Sequence, residues 1–140
     1  MKNNNNLHGK HFIYSKAYDF PAIEHAKQVI EENIIDHWSL TLLAARVGVN
    51  EFKLKIGFKQ IYQITPYQYL KKLRLKKAKG LLERTTLSIQ QITSKVGFES
   101  YRAFSKSFRG GYSMLPTTFR EDMGNDLIKK AISAKLYCLS

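Results

Sequence analysis

The chain repeats itself once, and that repeat leaves it very few folds. Ser39-Leu40, Leu43, Val47-Gly48-Val49, Phe58, Pro66 and Tyr69 recur as Ser88-Ile89, Ile92, Val96-Gly97-Phe98, Phe108, Pro116 and Phe119. The offset is 49 residues up to the glycine turn and 50 after it, so the second turn holds one extra residue. Each copy reads as a short helix, a glycine-containing turn and a longer helix, which is the helix-turn-helix pattern. A generic helical repeat needs about three or more copies to bury a continuous core. Two copies therefore predict an all-α chain of two helix-turn-helix subdomains joined by a long linker helix.

Start and stop signals place the elements. Residues 1–19 are Asn-rich and then aromatic without a period, and read as a flexible N-terminal arm. Residues 20–64 form the first subdomain. Pro21 suits the first turn of a helix reaching about Asn33, with Ile23, Ala26, Val29, Ile30 and Ile34 at helical spacing. A helix over Leu40–Val47 follows a Ser39 N-cap, and Gly48 ends it in a left-handed turn. A third helix covers about residues 50–61. Thr65-Pro66-Tyr67-Gln68 then combines a capping Thr, a first-turn Pro and a reciprocating Gln, and opens the linker helix of residues 65–84. The second subdomain, residues 85–123, starts with the capping box Ser88-Ile89-Gln90-Gln91 on a helix ending at Gly97. A helix over about residues 100–109 stops at Gly110-Gly111, and a short one covers about residues 116–123. Residues 124–140 are a C-terminal tail in which Leu127, Ile128, Ala131, Ile132 and Lys135 keep helical spacing.

Charge narrows the partner. Lys and Arg number 23 against 11 Asp and Glu, a net charge of +12. That excess points to a polyanion, either nucleic acid or an anionic membrane surface. The 140 residues suit one or two small domains rather than a large enzyme core. Cys138 stands alone, so no disulfide framework and no multi-cysteine zinc site forms within one chain. This fits a reducing cytoplasm, the expected location. The polar start lacks the apolar core of a secretory signal, and no run approaches the roughly 20 apolar residues that span a bilayer.

The faces left free by the core identify the candidate site. At about 100° per residue, Leu54, Phe58 and Ile61 share one face of the third helix and are expected inside. Phe52, Lys55, Ile56 and Lys59 lie opposite. Apolar residues on an outer face suit a major groove, where they meet thymine methyls while Lys donates to guanine or to phosphates. The alternative is that Phe52 packs on the first helix or the arm. In the helix of residues 100–109, Phe104 and Phe108 point inward. Arg102, Ser105, Lys106 and Arg109 point outward, with Tyr101 at the boundary. Arg102 is the best candidate for a base contact, because Arg to guanine is the commonest specific pairing. Lys106 and Arg109 equally suit phosphates, and for any single outward Lys solvation is as good a reading. Lys71, Lys72, Arg74, Lys76, Lys77 and Lys79 wrap around the linker helix, so most are expected in solvent. Leu70, Leu73, Ala78, Leu81 and Leu82 are its expected buried side.

From residue 39 to 120 the chain resembles the C-terminal DNA-binding domain of AraC-type (arabinose-regulator-like) transcription regulators. Ser88-Ile89, Ile92, Val96-Gly97-Phe98, Phe104-Ser105, Phe108, Pro116 and Phe119-Arg120 carry the most diagnostic match. Leu43-Ala44, Val47-Gly48, Leu54, Phe58-Lys59, Pro66, Tyr69-Leu70 and Arg74-Leu75 carry it in the first half. The stretch Val49-Asn50-Glu51-Phe52-Lys53-Leu54 is similar to a subgroup of siderophore-linked regulators. The resemblance implies a two-lobed helical domain whose third and sixth helices enter successive major-groove segments. The family's groove positions fall on Phe52, Lys55 and Ile56, and on Tyr101, Arg102, Ser105 and Lys106. Departures from the family pattern are Gln63 and Ser113 in place of Gly, Leu115 in place of a capping Ser or Thr, Gly110-Gly111 in place of a basic pair, and Thr93 in place of Ala. Most lie in the second unit, and they predict a weaker cap and a looser phosphate grip there.

The resemblance also implies double-stranded DNA as partner and, by family analogy, RNA polymerase. The 38 residues before the repeat are too few for the ligand-sensing domain most members carry. That leaves a stand-alone regulator or part of a longer product, with no small-molecule site expected in this chain. An enzyme is disfavoured. His8 and His11 sit in the arm, Cys138 has no His or acid nearby in sequence, and there is no Gly-rich phosphate loop, so no catalytic residue, metal or cofactor is expected. A non-catalytic protein-interaction module, or a degenerate fragment with only non-specific DNA binding, is the alternative. RNA is disfavoured because its narrow major groove excludes a reading helix, and a membrane surface because the linker's apolar side is committed to joining the lobes.

Overall fold

The computed structural model describes residues 19–139, so the expected arm, with His8 and His11, lies outside the described residues except for Asp19. In chain order the helices are α1 (Phe20–Glu32), α2 (Leu40–Val47), α3 (Glu51–Tyr62), α4 (Pro66–Arg84), α5 (Ile89–Lys95), α6 (Tyr101–Tyr112) and α7 (Pro116–Leu139). No strand occurs among the described residues. The described residues form two compact units: one holds Asp19–Asn33 and His37–Leu70, the other Ile34–Asp36 and Lys71–Leu139.

The first unit packs α1, α2 and α3 on one another. Its core is Ile23, Ala26, Val29 and Ile30 from α1, Leu43 and Ala44 from α2, and Leu54 and Phe58 from α3. Each fully buried large side chain contributes about 1.5–3 kcal/mol. Gly57 sits in the middle of α3, where glycine costs about 1 kcal/mol of helix propensity. The packing accounts for it, since a Cβ there would stand 2.9 Å from Ile23 Cδ1. Tyr62 donates to Glu24, and Tyr69 donates to Glu31 at 2.5 Å. Both rings pack against Phe58. Ile61, expected in the core, is 38% exposed. In the last turn of α3 the inward position goes to Tyr62, which closes the cluster with Phe58 and Tyr69.

The second unit is built on Leu75, Ala78 and Leu82 of α4, Ile92 and Val96 around α5, and Phe104 and Phe108 of α6. Arg74, one of the linker-helix cations of which most are expected in solvent, is buried. Its Nε donates to Ile34 O at 2.6 Å and its Nη2 to Asp36 O at 3.2 Å. Two carbonyls that end no helix hydrogen bond thereby gain a charged donor. Gly97 lies against the same guanidinium, with φ +86 and space for a Cβ only 3.0 Å from Arg74 Nε. Of the residues expected on the buried side of the linker helix, Leu73 and Leu81 are only half-buried, and Leu75 takes the inner place.

Two boundaries differ from the expected ones. α6 does not stop at Gly110-Gly111 but continues to Tyr112, with Ser113 as its left-handed C-cap. Tertiary packing overrides the weak propensity of the glycines. Tyr112 packs on Phe108 with ring centroids 4.7 Å apart, and Lys79 Nζ lies 5.6 Å from the Tyr112 ring. Gly111 itself admits Leu75 Cδ1 to 3.2 Å of where a Cβ would be. α7, expected as a short helix followed by a tail able to add a separate last helix, is one helix of 24 residues that passes through Gly124. Once nucleated, each added residue gains a hydrogen bond, and one glycine is too small a penalty to stop it. Thr93 is buried and accommodated, its hydroxyl donating to Ile89 O at 2.8 Å.

Candidate nucleic-acid interface

In the first unit, the turn between α2 and α3 sets which side of α3 is free. Ser39 caps α2 by accepting from Leu42 N at 3.2 Å. Gly48, at φ 77, ends that helix, and its N–H reaches Ala44 O and Ala45 O. Asn50 starts α3 by accepting from Lys53 N at 2.8 Å. Glu51, in the first turn of α3, favours the positive helix end and also accepts from the Thr41 hydroxyl. With Leu54 and Phe58 turned into the core, the helical period presents the opposite face to solvent. Phe52 is 73% exposed and Ile56 39% exposed, with Lys55 and Lys59 exposed beside them. At that exposure Phe52 is not buried against α1, and the arm, the other partner of its alternative role, lies outside the described residues.

The second unit repeats the device with stronger local signals. Ser88 and Gln91 form a reciprocal capping box at α5. Gly97 takes the left-handed turn, and Ser100 caps α6 by accepting from Ala103 N at 3.1 Å. Phe104 and Phe108 are fully buried, with ring centroids 5.7 Å apart. Arg102, Lys106 and Arg109 are exposed, Tyr101 is 39% exposed, and Ser105 is half-buried between them. These five side chains line one shallow concave surface together with Leu115. Leu115 was not singled out as a site residue. The signal for it was an apolar side chain where a helix cap belongs, directly before Pro116.

Both faces are rich in cations, with one acid, Glu51, in the first turn of α3. α6 contains no acidic residue. The ion pairs found among the described residues are Lys27–Glu31 and Lys79–Glu83, neither on these faces. Lys55 and Lys59 in one unit, and Arg102, Lys106 and Arg109 in the other, thus offer donors to an external anion. Beside them Phe52, Ile56 and Tyr101 offer apolar surface. Charge and apolar area presented together on a helix rigidly held by its other side can read a groove that displays phosphates, base edges and methyl groups.

A helix-turn-helix domain family model matches residues 43–122. The chain is 33% identical over 101 residues to the HTH-type transcriptional regulator AlkR of Acinetobacter baylyi, covering 72% of this chain and 33% of that protein. To the HTH-type transcriptional regulator GbdR of Pseudomonas aeruginosa it is 32% identical over 101 residues, covering 72% of this chain and 28% of that one. The chain thus spans about a third of the length of these curated relatives. Among solved structures, a transcriptional regulator with an AraC-type DNA-binding domain from Chromobacterium violaceum matches with a TM-score of 0.68 at 33% identity, covering 77% of this chain and 96% of that chain. The DNA-binding domain of AdpA, solved in complex with a target DNA, shares the fold with a TM-score of 0.68 at 23% identity, covering 71% and 90% of the two chains.

Proposed function

The chain belongs to the AraC-type helix-turn-helix family, and from that premise we propose that it is a sequence-specific regulator of transcription that binds double-stranded DNA. The observation that carries this is the repeated outward face. In each unit the helix after the glycine turn exposes cations and apolar side chains that the core has no use for. α3 and α6 each enter a major-groove segment. Phe52 and Ile56 meet thymine methyls, and Lys55 donates to a base edge or a phosphate. Arg102 presents its planar fork to guanine O6 and N7, with Tyr101 and Ser105 beside it. Lys59, Lys106 and Arg109 hold phosphates and set the register. The protein acts without catalysis or cofactor, in the cytoplasm, near a promoter, and its further contact is with RNA polymerase by family analogy.

Selection of bound duplexes from a random-sequence pool at moderate salt tests this. Two separate enriched blocks are expected, one for each reading helix, and their spacing measures how the two helices are disposed on DNA. A single block means that the second unit holds phosphates only. No enrichment from folded protein would sink the sequence-specific reading and leave non-specific attraction to a polyanion.

A further inference from the structure

The second half of α7 has no role in the second unit's core. The family match ends at residue 122, yet the helix continues to Leu139. Along this extension Leu127, Ile128, Ile132 and Leu136 are each more than half exposed. At about 100° per residue, Leu127, Ala131, Ile128 and Ile132 fall within one arc of roughly 140°. Scattered exposed apolar residues are ordinary, but a continuous stripe marks a surface that is covered in use.

The charges along the helix indicate what covers it. Glu121, Asp122 and Asp126 all precede Lys129, Lys130 and Lys135, so residues 121–136 carry three acids and three lysines, a net charge of zero, in a chain of net charge +12. Here two copies of a strongly basic chain can meet without net repulsion, while DNA would meet acids over half the segment. The order of the charges makes the helix complementary to itself in one direction only. Antiparallel pairing sets the acidic beginning of each copy against the basic end of the other, and parallel pairing opposes like charges. Glu121 and Lys135, both exposed, lie on the apolar side of the helix 14 residues apart, with Gly124, Ile128 and Ala131 between them on that side.

We propose that α7 pairs antiparallel with α7 of a second copy of this chain. Leu127, Ile128, Ala131 and Ile132 form the seam, and Glu121 of each copy meets Lys135 of the other. A seam of one helix segment roughly 24 Å long is smaller than a standard interface of about 1,600 Å². The dimer is therefore weak and concentration-dependent. It does not depend on the DNA-binding reading.

Sedimentation equilibrium of the full chain without DNA, from low micromolar to submillimolar concentration, tests it. A monomer–dimer equilibrium is expected. Ile128→Glu should weaken association at least about a hundredfold while leaving the thermal melt unchanged, because Ile128 is exposed in the monomer. Glu121→Lys alone, or Lys135→Glu alone, should weaken it by about tenfold, and the two together should restore it to within about twofold. A chain that stays monomeric throughout, or a dimer indifferent to Ile128→Glu, would overturn the proposal. So would a double exchange that associates no better than either single one.

Discussion

Gln63 and Ser113 hold equivalent left-handed turns in the two units, with φ 64° and 61°. Their backbone N–H groups close the ends of α3 and α6 onto Lys59 O and Arg109 O. Glycine takes this conformation without Cβ strain, which is why a glycine at these positions is the better residue. Gln63→Gly and Ser113→Gly should each stabilise the protein by about 0.5–1 kcal/mol, strain relief exceeding the added chain entropy. A urea midpoint that stays put or falls would refute this. The base contact proposed for Arg102 belongs to the same scale. Arg102→Ala should cost about 1–3 kcal/mol on a selected site and relax the preference at one base pair. Weaker binding with base preference intact would reduce Arg102 to a phosphate contact.

At the scale of the element, α6 is held by its aromatic side. Phe104 and Phe108 are fully buried, and Phe98, Tyr112 and Phe119 pack around them. Phe104→Ala removes a ring from the middle of this stack and should destabilise the second unit by about 3–5 kcal/mol. A melt unchanged by that substitution would contradict the placement of the ring. In the first unit, α3 and α4 are tied to α1 by tyrosines. Burial first, and then the Glu31 carboxylate that accepts its hydroxyl, push Tyr69 up to about 12. Burial and then Glu24 raise Tyr62 as well. Because the folded values lie above the ordinary 10.0, this stabilisation is whole below pH 10.0 and is lost as pH climbs toward about 12. Denaturation midpoints should decline across that window, and Tyr69→Phe should make the decline shallower. An identical decline in the variant would remove Tyr69 from the cause.

For the molecule as a whole, the net charge of +12 is the quantity that would draw in DNA, and the exposed cations are those that would hold it. Five candidate cations lie on the two outward faces: Lys55, Lys59, Arg102, Lys106 and Arg109. Each one that neutralises a phosphate adds about −0.9 to the slope of log affinity against log salt. Lys106→Gln should therefore lower affinity evenly across DNA sequences and reduce the magnitude of the slope by about 1. A slope that does not move would place Lys106 in solvent.

The features read correctly from the chain are those set within a few residues. The caps at Ser39, Thr65 and Ser88 depend on one side chain and a backbone N–H close by, and the turns at Gly48 and Gly97 on one residue's φ. The outward faces of α3 and α6 follow from the helical period once Leu54, Phe58, Phe104 and Phe108 are assigned to the core. Long-range packing decided the rest. No local rule buries Arg74, because Ile34 and Asp36 lie about forty residues away in the chain and only the fold brings their carbonyls to its guanidinium. Ile61 has the same period as Phe58 but lost the inner place to Tyr62. Gly110 and Gly111 carry a stop signal that Tyr112 packing on Phe108 outweighs. Leu115 joins the concave surface on α6 only because the fold lays the start of α7 beside α6. Hydrogen bonds and periodicity are encoded locally, so the sequence alone determined the helices, their caps and the repeat. Which of two competing residues is buried depends on the shape of distant neighbours, and that only the tertiary structure decided.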